Sequence, residues 1–92
     1  MRIVIDGCNF NLESVSSLSR NKNLGIYSLQ GVDDNLAKFA GDSIENKAYF
    51  DIEVLDKDRS VLVGEHCFFN DLNVLSKTLK LTVNWVEHSL FD

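Results

Sequence analysis

The sequence predicts an α/β (α+β) sandwich, with an N-terminal β-hairpin and about three short helices packed on a small sheet of about three to five strands. Three observations carry that expectation: an Asp-Gly dipeptide between two partly apolar runs, period-two alternation in two later runs, and apolar residues at helical spacing in three others.

The hairpin comes first. In RIVIDGCNFNL, residues 2–12, Asp6-Gly7 supplies the two positive-φ positions that a type I′ turn demands. With these two as the loop, Ile5 faces Cys8, Val4 faces Asn9 and Ile3 faces Phe10. Alternation then puts Ile3, Ile5, Cys8 and Phe10 on one side, with Arg2, Val4, Asn9 and Asn11 on the other. The same IDG could present Asp6 as a metal ligand at a strand end. That chemistry needs further carboxylates converging on the spot, so the turn is the better reading.

NLESVSSLSRNKN predicts the first helix. Asn11 is its N-cap, Glu13 lies in its first turn, Leu12, Val15 and Leu18 recur at helical spacing, and Arg20 and Lys22 suit the negative end of the dipole. GIYSLQ, residues 25–30, reads as a short extended piece or a loop. GVDDNLAKFAGDS predicts the second helix, capped by Asp33, with Asp34 at its positive end, Leu36, Phe39 and Ala40 as the buried stripe and Gly41 closing it. Two strands follow. In YFDIEVL, Phe50, Ile52 and Val54 alternate with Tyr49, Asp51 and Glu53; the polar DKDR separates it from SVLVGEHCFF, where Gly64 suits a bulge. Asn70 or Asp71 caps a third helix carrying Leu72, Leu75 and Leu79. The chain finishes in a strand, LTVNWVEH, although LKLTVNW satisfies period two as well and blurs the handover.

Ninety-two residues, 45% apolar and 25% charged, suit a single compact domain spanning residues 1–92 with a modest core. No apolar run approaches the roughly 18 residues that span a bilayer, and the N-terminus has neither a basic nor a continuous apolar signal region. The expectation is a cytoplasmic protein with no membrane partner, in which Cys8 and Cys67 are reduced thiols. The net charge of −5 disfavours direct contact with a nucleic acid and favours basic protein partners, of which nucleases are a common kind; it also simply keeps a small protein soluble.

No motif names a reaction. There is no CxxC, no HxxxH and no Gly-rich phosphate loop. His66 and Cys67, adjacent in a strand, point to opposite faces and make poor partners for one tetrahedral metal site, and His88 and Cys8 complete the available ligands. The expectation is therefore no metal, no cofactor, no catalytic residue and no enzyme. The carboxylates are more suggestive. Asp33, Asp34, Asp42, Glu45, Asp51, Glu53, Asp56 and Asp58 lie between residues 31 and 60, offset there by Lys38, Lys47, Lys57 and Arg59. Acids beside an aromatic are what an interface uses to hold Arg and Lys around a buried anchor, which singles out Tyr27, Asp33, Asp34, Asp42 and Glu45 as candidate partner-binding residues. The plainer reading is a solvated face of mixed charge.

The VIDG turn at Val4 to Gly7, a helix soon after it, a loop with an aromatic leading into GVDDNLAKF, and the final NDLNVLSKTLKLTVNWV together resemble the barstar family of small acidic inhibitors of a bacterial ribonuclease. The family's aromatic-rich YYG loop stands here as IYSLQG, no tryptophan follows Leu36, and the strand VLVGEHCFF is additional. The resemblance implies that Asp33 and Asp34, at the start of the second helix, would fill a nuclease's cationic site in place of substrate phosphate. A related possibility is an immunity protein that neutralises a neighbouring bacterial toxin. The alternative of a different class is a structural or accessory subunit of a phage or host assembly, joined through an exposed strand edge or an apolar patch. The inhibitor would bind with a steep salt dependence; the subunit would not.

Overall fold

Strand pairing, rather than the packing of helices on a small sheet, organises the chain. In the computed structural model, which describes residues 1–91, the elements in order are β1 (Arg2–Ile5), β2 (Cys8–Asn11), β3 (Ser14–Asn21), β4 (Leu24–Gln30), α1 (Asp34–Glu45), β5 (Phe50–Asp56), β6 (Arg59–Asn73) and β7 (Thr78–Ser89). All seven strands join one antiparallel sheet in the order β2-β1-β5-β6-β7-β4-β3. This overturns the expected sandwich of three helices on a sheet of three to five strands.

The opening hairpin has the register that Asp-Gly dictates, with Ile5 opposite Cys8 and Ile3 opposite Phe10, and both turn residues at positive φ, Asp6 at 50° and Gly7 at 82°. Ile3, Ile5 and Phe10 are buried, whereas Cys8, next to the turn, is exposed.

Two expected helices are replaced by paired strands, each for its own physical reason. Over residues 11–22, β3 pairs with β4, and the pairing slips between Ser17 and Ser19. The extra residue of this bulge is Leu18, which ends up 56% exposed. An inserted residue turns the strand's spacing of two into a spacing of three, so Val15 and Leu18 imitate a helical face that does not exist. The stretch from Asn70 misleads differently, because it holds the end of β6, a turn and the start of β7, and the hairpin sets the spacing of Leu72, Leu75 and Leu79. The β6–β7 register shifts between Phe69 and Leu72, Leu72 then pairs with Leu79, and Leu75 stands 98% exposed at the turn between them. GIYSLQ is fully a strand, β4, with Tyr27 and Leu29 buried. Tyr27 lies over Gly25, where an added Cβ would sit 2.6 Å from Tyr27 Cε2, so glycine there is what lets the ring fold back on its own strand.

The sheet has to curl. Six steps of about 4.8 Å would hold β2 and β3 about 29 Å apart in a flat sheet. Yet only Leu12 and Glu13 join them, and three residue steps reach about 10 Å. The two edges are therefore drawn together into an open barrel measuring 29 × 28 × 24 Å. At the seam, Asp33 N–H donates to the Asn11 carbonyl (3.0 Å) and Glu13 N–H to that of Gln30 (2.9 Å), while Val32 N–H extends the β4–β7 ladder by donating to the Lys77 carbonyl (3.1 Å).

Among the described residues one helix, α1, covers the concave side. Asp33 caps it as expected, with φ −74° and ψ 169°, its Oδ1 accepting from Leu36 N–H (2.6 Å) and its Oδ2 from Asn11 N–H (2.8 Å). Gly41 does not close it; α1 runs on to Glu45 and ends on Asn46. Leu36 and Ala40 are buried, and Phe39 inserts among Phe10 (5.3 Å between ring centroids), Phe50 (6.0 Å) and Phe69 (6.3 Å), joining β2, β5 and β6. Among the described residues, no helix is long and apolar enough to cross a membrane.

Candidate functional site

The convex face of β5, β6 and β7 carries the most unusual local chemistry, and two bulges create it. On the β5 side, Phe50 pairs with Cys67 and Ile52 with Gly64, so Glu65 and His66 together oppose the single residue Asp51. On the β7 side, Val63 pairs with His88 and Gly64 with Val86, which leaves Glu87 as the extra residue. Bulges re-aim side chains that strict alternation would send inward. Glu65, His66 and Glu87 all emerge exposed, beside Trp85, which pairs with Glu65 and is 50% exposed.

The β6 bulge is held by side chains. His66 adopts φ 55°, an uncommon conformation for a residue other than glycine inside a strand. Its N–H donates to Asp51 Oδ1 (3.1 Å), and its carbonyl accepts from Asn84 Nδ2 (2.8 Å). Its ring stacks on Tyr49, with 4.3 Å between centroids and 10° between planes; Tyr49, 56% exposed, meets Phe68 edge-on at 5.5 Å. Beneath the bulge Gly64 faces the core, where a Cβ would collide with Val83 Cγ1. This close approach requires glycine on β6.

Beside this aromatic cluster opens a groove of about 220 Å³ between the C-terminal end of α1 and β6. Ile44, Ala48, Tyr49, Phe68 and Phe69 give it apolar walls, and Lys47 stands at its helix end. The surface therefore runs from a cation at Lys47, through the groove and the Tyr49–His66 stack, to the carboxylates of Asp51, Glu65 and Glu87.

Those carboxylates are too close for comfort. The hydrogen bond between Glu65 and Glu87 raises the Glu65 pKa above its ordinary 4.5, and the charge of Glu87, slight desolvation and the charge of Asp51 add to it. An acid that shares a hydrogen bond with another acid holds its proton more tightly than it would alone. Cys67, by contrast, is pushed up to about 12, first by burial and then by the charge of Asp51, so its thiol is protonated and inert at neutral pH. Among the described residues, no three of His, Cys, Asp and Glu are grouped so as to hold a metal ion.

The candidate residues named from sequence are scattered. Tyr27, expected as an exposed anchor, is 0% exposed and belongs to the core. Asp33 spends both carboxylate oxygens on backbone N–H groups. Asp34, Asp42 and Glu45 are exposed along α1, with Lys38 also exposed among them. Sequence reasoning missed Tyr49, Glu65, Phe68, Trp85 and Glu87. A signal for one of them was present: GEHC places two exposed residues in succession between buried neighbours, the mark of a bulge inside a strand.

The elements on which the resemblance to the barstar family was drawn are altered as well. The helix after the VIDG turn and the helix before the last strand are both strands, while the turn and the Asp33-capped helix are present. In comparisons with known proteins, no family model, no curated protein and no solved structure matches the chain.

Proposed function

We propose that the protein is a small acidic inhibitor or immunity protein that binds and occludes a basic toxin, with a bacterial nuclease as the partner that best suits its charge. One observation carries the reading: exposed Tyr49, His66 and Trp85 lie on the same three-stranded face as Asp51, Glu65 and Glu87, in a chain of net charge −5. Aromatic anchors ringed by carboxylates suit a cationic active site, whose own Lys and Arg residues are arranged to hold phosphates. The residues stand on paired strands rather than on a loop, with His66 held by hydrogen bonds to Asp51 and Asn84, which favours a surface formed before association. No catalytic role is assigned to any residue, and no cofactor or metal enters the reading.

The test is capture of a basic protein from a lysate on the tagged chain, followed by measurement of the association rate across a salt series. A single basic nuclease, silenced when the complex re-forms and associating more slowly by about tenfold or more as salt rises from low to physiological, is the expected result. Retention unaffected by salt would overturn the electrostatic basis of the proposal.

A second reading, a structural or accessory subunit of a phage or host assembly, has its own observation. β3 is an edge strand with one charged residue, Arg20, and an exposed Leu18, which is little protection against pairing with another strand. It predicts concentration-dependent self-association that persists in high salt.

A further inference from the structure

We infer that the strip from the α1–β6 groove to Glu65 and Glu87 is a docking site for an arginine-bearing segment of the basic partner, its guanidinium between Glu65 and Glu87 against the Trp85 indole and an apolar neighbour in the groove beside Tyr49 and Phe68. This rests on the inhibitor reading and adds the residues and the class of side chain recognised.

Charge complementarity decides the occupant. The groups facing the strip are Lys47 from the end of α1, Asp51 and Glu53 from β5, Glu65 and His66 from β6, and Glu87 and His88 from β7. Its carboxylates gather at the sheet end and its one lysine at the groove end. A cation is welcome at Glu65 and Glu87 and repelled at Lys47, which fixes the direction in which a partner segment lies. Arginine suits the sheet end better than lysine, because a planar fork can span two carboxylates while its face lies on an indole. Glu65 pairs with Trp85, and Glu87 is the extra residue one position beyond Val86, so a guanidinium over the indole has a carboxylate from each strand to donate to. At about 220 Å³ the groove is the size of one large side chain rather than of a free metabolite, which points to a residue of a polypeptide.

Trp85 is the sole tryptophan, so its fluorescence reads this site without a label. The experiment titrates the full chain with the blocked peptide acetyl-Phe-Ala-Arg-amide, and with the same peptide carrying lysine or citrulline in place of arginine. The expected result is a saturable change in Trp85 emission, tightest for arginine and weaker by about tenfold for citrulline and for the Glu65→Gln/Glu87→Gln variant. Replacing two facing acids by isosteric amides relieves repulsion, so that variant folds. Equal binding of the arginine and citrulline peptides, or undiminished binding by the double variant, would overturn the site. If the peptides fail while the chain still captures a basic nuclease with a steep salt dependence, the inhibitor reading stands and this site falls; if capture also fails, both fall.

Discussion

Tyr27 with Asp33 and Asp34, and Tyr49 with Glu65 and Glu87, are the same residue types in opposite circumstances. In the first group the tyrosine is 0% exposed over Gly25, and Asp33 accepts from two backbone N–H groups that would otherwise lack partners at the barrel seam. Its chemistry is satisfied internally, and the group's work is to hold α1 to β2. In the second group the tyrosine is 56% exposed, and the Glu65 carboxyl meets another acid, Glu87. Composition alone cannot separate structural acids from recognition acids. What separates them is whether the fold supplies the complementary donor, and here it does so at Asp33 and withholds it at Glu65.

Tyr27→Ala puts the largest strain on that contrast. Emptying a fully buried aromatic site costs about 3–5 kcal/mol, a large share of the stability of so small a domain, and denaturant midpoints should show it. Tyr49→Ala, which removes an exposed ring, should cost within about 1 kcal/mol yet weaken partner capture. Equal losses of stability from the two would erase the distinction. Asp33→Ala comes next, at about 1–2 kcal/mol for the lost cap, with binding through Glu65 and Glu87 unchanged in a salt-series titration. Gly41→Ala runs the other way. Its Cβ would meet nothing within 4 Å inside α1, so helix propensity should raise stability by about 0.5–1 kcal/mol, measured as a shift in Tm, again with capture untouched. A loss of partner binding in either variant would move the interface onto the helix face of Asp34, Asp42 and Glu45.

The legible parts of the fold are those where local chemistry admits one backbone conformation. Asp6-Gly7 allows a tight hairpin and sets its register, Asp33 before Leu36 starts a helix, and the alternation through Phe50, Ile52 and Val54 fits only a strand. The illegible parts are the bulges and one turn. At Leu18 one extra residue converts period two into an apparent helical step, and between Leu72 and Leu79 a hairpin turn does the same. The candidate surface was hidden by the same device. Glu65, His66 and Glu87 lie in strands whose alternation would share them between two faces, and the bulges bring all three to one. Strict period two groups Trp85 with Leu81 and Val83, whereas Val86 takes the core position. Pairing across strands decides these placements, and a single strand read by itself does not contain its partner's slip.

Glu65→Gln is the smallest and most specific test of the contrast. Because the folded chain raises the Glu65 pKa above 4.5, it binds that proton more tightly than the unfolded chain does. Stability from this group is therefore full below about pH 4.5 and is lost as pH rises through the raised value, where the native state must ionise one acid beside another. Glutamine copies the protonated form at every pH and can still donate to Glu87. The variant should match the wild type in acid and melt slightly higher near pH 7, with the difference opening across the window just above 4.5. Parallel melting curves across that window would mean that the two acids are solvated apart, and Glu65 would then resemble Asp34 rather than form half of a cation site. A stabilising change that also weakens the arginine peptide would show that the repulsion is kept for binding, since a residue placed for a partner is often one the folded chain alone would be better without.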